Sequence, residues 1–135
     1  MIRSILAVLA GIVALTVTSF AIEFAANTLL LRLLPQAFPT ATALAQNPAA
    51  RGFMLLYTAL SVAFGGYVTA WIARRTPVAH AVVMGIVMVA LTLLQMAKGP
   101  HPAPLWSWIV GIATLIPGAW YGGWLRTRAL RPIMD

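Results

Sequence analysis

Four apolar stretches, over about 5–34, 52–73, 77–97 and 104–125, limit what this chain can become. Each is long enough to cross the roughly 30 Å of hydrocarbon that about 20 helical residues span. Lipid offers the backbone no hydrogen bonds, so a spanning segment of this kind must be helical. Among the 135 residues, 61% are hydrophobic and 8% are charged. A soluble domain carries about 25% charged residues because its surface faces water. The only acids are Glu23 and Asp135. The expected fold is all-α: a single integral membrane four-helix bundle over 1–135, antiparallel, with no separate soluble domain.

Prolines and glycines punctuate the runs. The first ends against Pro35 and exceeds the minimum span, so it should tilt or project beyond the membrane. Arg3 and the small pair Ser19/Ala21 give a weak signal-peptide pattern, but apolar residues continue past Ala21, so an uncleaved helix is expected. Asn47-Pro48 reads as a cap and first-turn proline for the second helix, and Thr76-Pro77 as the same for the third. Gly99-Pro100 closes the third. Residues 35–51 form an outer loop that lies on the surface or covers the bundle mouth. Arg74 to Pro77 make a tight inner turn.

Lysine and arginine counts orient the chain. Arg3, Arg74, Arg75, Arg126, Arg128 and Arg131 fall on one side, and only Arg32, Arg51 and Lys98 on the other. The richer side should be cytoplasmic, which places both termini there. Trp106 and Trp108 would form the outer aromatic belt, and Tyr67, Trp71, Trp120, Tyr121 and Trp124 the inner one. The net charge of +7 therefore reads as flanks meeting anionic headgroups, with membrane lipid as partner and no nucleic acid.

Helices in lipid associate through close packing and polar contacts. Small residues four apart supply candidate seams: Ala7 and Gly11; Ser61, Gly65 and Thr69; Ala81 and Gly85; Gly118 and Gly122, with Gly66 beside them. They serve packing within one bundle or a seam between copies. Phe64-Gly65-Gly66-Tyr67 and Tyr121-Gly122-Gly123-Trp124 echo each other at the ends of two helices. Pro117 has no N–H for the Ala113 carbonyl, so a kink is expected there.

Glu23 is the acid inside a span. A charge at mid-membrane costs about 2.5–3.5 kcal/mol on insertion scales. Ser19, Glu23 and Asn27 are spaced by four and share a helical face. Counted from the outer ends of the spans, Glu23 lies level with Ser61 and Thr114, and Asn27 with Tyr57 and Thr92. These residues define a candidate intramembrane polar site. Its functional reading is a carboxyl exchanging a proton for a substrate. Its structural reading is a protonated Glu23 satisfied by Asn27 and nearby hydroxyls.

Cysteine is absent, which excludes disulfides and thiolate chemistry. His80 and His101 fall at opposite membrane faces, so no metal site is expected. His80 should snorkel or bond the first-turn backbone of its helix. His101 belongs to a proline-rich turn before Trp106. Paired carboxylates, an activated serine and phosphate-cradling loops are missing, so no catalytic residue, enzyme activity or cofactor is expected.

Glu23, the run Gly65-Gly66-Tyr67-Val68-Thr69-Ala70-Trp71-Ile72-Ala73-Arg74, then His80-Ala81, Gly85, His101-Pro102, Trp106, Trp108 and Pro117-Gly118-Ala119 resemble a group of uncharacterised small four-helix bacterial membrane proteins. That resemblance implies a bacterial inner-membrane location and brings no activity. Glu23-Phe24-Ala25-Ala26-Asn27-Thr28-Leu29 is loosely similar to the first helix of small multidrug-resistance transporters, but the outer loop is longer and that family's other motifs are missing. The expected role is non-enzymatic: helix–helix interaction, as a self-associating protein or an accessory subunit of a larger complex. The alternative is a small dimeric proton-coupled transporter or channel using Glu23.

Overall fold

A computed structural model describes residues 2–73, 75–99 and 103–130. Arg74, Pro100, His101, Pro102, Arg131 and Asp135 lie outside the described residues. The chain forms α1 (Ile2–Leu33), α2 (Ala41–Gln46), α3 (Pro48–Ile72), α4 (Pro77–Ala97) and α5 (Leu105–Leu130), with no strand among the described residues. Three of these helices, α1, α3 and α4, are long and apolar enough to cross a membrane. α5 has 26 residues, but Trp106, Ser107, Trp108, Pro117 and Gly118 dilute its apolar character. It runs helical through Pro117.

The starts of the helices have local causes. Asn47 Oδ1 accepts from the backbone N–H groups of Ala49 (3.0 Å) and Ala50 (3.1 Å), with Pro48 as the first helical residue of α3. This satisfies donors that would otherwise be orphaned. Thr76 departs from the expected capping role. It adopts a left-handed conformation (φ 46°) and makes no side-chain cap. Instead the His80 Nδ1–H donates to the Thr76 carbonyl at 3.0 Å, because a carbonyl can only accept. His80 thus bonds the first turn of its helix.

The connection over 35–51 is not all loop. Thr40 Oγ1 accepts from the Ala43 N–H at 3.1 Å and starts α2. Leu44 is buried, and the Arg51 Nε–H donates to the Ala45 carbonyl at 2.9 Å. These contacts fasten α2 to α3.

Contacts along the helices give an up-down-up-down order. Gly11 of α1 meets Gly65 of α3, whereas Ala26 and Leu30 of α1 border one groove with Ala49 and Phe53, so α1 and α3 are antiparallel. Gly85 meets Leu115 while Gly123 meets Ala81, so α4 and α5 are antiparallel too. α3 packs against α1, α4 and α5, and α5 packs on α3 and α4 across the bundle from α1.

The tightest packing lies toward the end bearing Arg3 and Arg75, hereafter the basic end. A Cβ on Gly65 would stand 2.8 Å from the Gly11 carbonyl oxygen and 2.9 Å from Leu15 Cβ. One on Gly66 would stand 2.9 Å from the Ala119 Cα. Gly85, Gly118 and Gly122 likewise face neighbouring helices, meeting Ala119, Val62 and Ala63. The glycine seams are therefore filled within the chain. Leu15, Val62, Met84, Leu115 and Ala119 form the core beside them. Large apolar side chains remain exposed on every long helix, among them Phe20, Leu60, Leu94 and Ile109. Such a surface suits lipid as solvent better than water.

Candidate functional site

Beyond Leu15, α1 buries no residue fully, and its polar row Ser19, Glu23 and Asn27 occupies that looser half. Ala7, Gly11, Leu15, Ser19 and Glu23 are successive members of one every-fourth-residue row. Each residue advances about 100°, so every step of four overshoots a turn by about 40°. The row that faces α3 at Gly11 has rotated by about 120° at Glu23. Glu23 is exposed, and it makes no hydrogen bond or ion pair among the described residues.

Its row neighbours differ. Ser19 Oγ and Asn27 Oδ1 are enclosed and have no hydrogen-bond partner among the described residues. Each such atom costs about 1–3 kcal/mol when desolvated and unmet. Asn27 and Glu23 are thus not joined as the structural reading required. Tyr57 of α3 is buried and within electrostatic reach of both Glu23 and Arg51. Phe20 and Phe24 stack at 6.5 Å between ring centroids, flanking Glu23 in sequence with apolar surface.

The remaining candidates are occupied elsewhere. Ser61 is buried and its hydroxyl donates to the Tyr57 carbonyl at 2.8 Å. Thr114 donates to the Gly111 carbonyl at 2.8 Å from α5, on the far side of the bundle from α1. The structure brings Ser61 and Tyr57 to the α1 side of the bundle and leaves Thr114 apart from Glu23.

A second polar group takes Thr92, expected level with Asn27, and joins it to residues the sequence reading did not gather. Arg51, Thr58, Thr92 and Ser107 line a cavity of about 180 Å³ between α3, α4 and α5. Thr58, Thr92 and Ser107 donate to the carbonyls of Met54, Met88 and Pro104 at 2.7–2.8 Å. Each hydroxyl proton is spent on its own chain segment, so the hydroxyls offer the cavity acceptors and Arg51 offers it donors. Arg51, Leu55 and Thr58 at i, i+4 and i+7 were the available signal. By charge counting alone Arg51 is a membrane flank. On the α1 side, Ala26, Leu30, Leu34, Phe38, Ala49 and Phe53 border a wholly apolar groove of about 390 Å³.

No family model, curated protein or solved structure matches this chain.

Proposed function

We propose that this is a four-span integral membrane protein of the bacterial inner membrane that works through helix–helix association, with its own copies or as a subunit of a larger complex. The observation that carries the reading is Glu23: an acid within an apolar helix, exposed, with no hydrogen-bond partner among the described residues. Its insertion costs about 2.5–3.5 kcal/mol. A hydrogen bond to a neighbouring helix returns about 0.6–2 kcal/mol in a membrane. The glycine faces are filled internally, so association falls to an exposed face, and the one around Phe20, Glu23 and Phe24 on α1 carries the acid.

In this reading α5 is the fourth span. Its 26 residues extend about 39 Å at 1.5 Å per residue. The arginine bias supports cytoplasmic placement of both ends.

Native mass spectrometry of the protein, extracted gently from its own membranes, tests the proposal. The wild type is expected as an oligomer or a complex, and Glu23→Leu as a dissociated chain. A wild type recovered only as a monomer contradicts association. The transport reading depends on the same exposed carboxyl and has a separate test: full flux through Glu23→Gln in proteoliposomes would end it.

A further inference from the structure

The basic end holds a cavity of about 320 Å³ lined by Arg3, Ser4, Ala73, Arg75 and His80. We propose that it binds the phosphate group of an anionic ligand. Arg126 and Arg128 at the same end are engaged with aromatic faces, 6.0 Å above Tyr67 and 4.5 Å above Trp124. Arg3 and Arg75 have no ion pair or hydrogen bond among the described residues. The one acid among those residues is Glu23, about 30 Å along α1 from Arg3 at helical rise. The positive charge at this cavity therefore has no counter-ion within the described chain.

Backbone groups reinforce the side chains. Arg3 and Ser4 lie in the first turn of α1, and His80 in the first turn of α4. Neither turn contains an acid, and Thr76 provides no side-chain cap. The N-terminal ends of both helices, and with them the positive ends of their dipoles, thus lie beside this cavity. His80 commits Nδ1–H to the Thr76 carbonyl, which leaves Nε2 as the ring nitrogen for a ligand. Two guanidiniums suit phosphate oxygens through paired, charge-assisted hydrogen bonds.

The phosphate belongs either to a lipid headgroup or to a soluble molecule, and two probes separate these sources. Full-length protein in uncharged detergent is titrated with inorganic phosphate by calorimetry. The same protein in phosphatidylcholine nanodiscs is titrated with brominated phosphatidylglycerol, read by tryptophan quenching. Arg3→Gln/Arg75→Gln should weaken binding by about tenfold or more. Arg32→Gln/Lys98→Gln removes two charges at the opposite end and should change it less than twofold. Binding of the lipid alone identifies a headgroup site, and binding of inorganic phosphate identifies a site open to soluble phosphates. Failure of both probes, or equal weakening by both double variants, overturns the proposal. If circular dichroism shows the first double variant unfolded, His80→Gln and Arg75→Gln are tested singly against the same criterion. Glu23→Leu should leave binding unchanged, which separates this site from the association surface.

Discussion

Replacing Gly66 by alanine should destabilise the bundle, whereas the same replacement at Gly52 should stabilise it. At Gly66 the new Cβ would lie 2.9 Å from the Ala119 Cα and 3.0 Å from its carbonyl carbon. Carbon atoms prefer about 3.5–4.0 Å. Those two atoms are backbone, so no side-chain rotation relieves the overlap and α5 itself must move. Overpacking of this kind costs about 1–3 kcal/mol. Alanine recovers about 0.5–1 kcal/mol over glycine within a helix. The net loss is up to about 2.5 kcal/mol, or a fall in Tm of up to roughly 10 °C for a chain of this size. At Gly52 nothing lies within 4 Å of the added Cβ, so only the helix-propensity gain remains. Its Tm should rise by roughly 2–4 °C. Thermal unfolding in detergent, followed by circular dichroism, reads both variants. Equal shifts of the same sign would refute the claim that α3 and α5 meet backbone to backbone at Gly66.

Two further substitutions probe local causes. Asn47→Ala removes the acceptor for the Ala49 and Ala50 N–H groups and should cost about 1 kcal/mol; hydrogen exchange should accelerate in the first turn of α3 and leave α4 unaffected. Thr69 is fully buried against Met84, and its hydroxyl bonds the Gly65 carbonyl of its own helix at 3.0 Å. Thr69→Val keeps that shape and should cost under about 1.5 kcal/mol, whereas Thr69→Leu overfills the site and should cost about 1–3 kcal/mol by the same unfolding assay.

The long helices were legible because their boundaries are chemical. Pro48, Pro77 and Gly99 mark the ends of α3 and α4, and each apolar run is longer than any strand. Close packing at Gly65, Gly66, Gly85, Gly118 and Gly122 was legible too, since small residues four apart have few other uses in lipid. α2 was not, because six residues carry no periodicity and what anchors them, buried Leu44 and the Arg51 bond to the Ala45 carbonyl, leaves no pattern. Thr76-Pro77 misled because a threonine before proline resembles a cap whatever its φ. The polar row of α1 was readable as a row, but spacing by four does not reveal how far that row winds off the packing face. Nor does it reveal which members of the row are enclosed: Glu23 is exposed while Ser19 Oγ and Asn27 Oδ1 are not.

The most direct test of the account concerns the α1 face beside Glu23. Benzoylphenylalanine in place of Phe24, in full-length protein in native membranes, reports what lies against that face under ultraviolet light. The same photoreactive residue in place of Leu60, exposed on α3, is the control. The account predicts a protein adduct from position 24, either a dimer of this chain or one with a partner subunit, lost in the Glu23→Leu background. Lipid adducts alone at position 24, matching those at position 60, would contradict it.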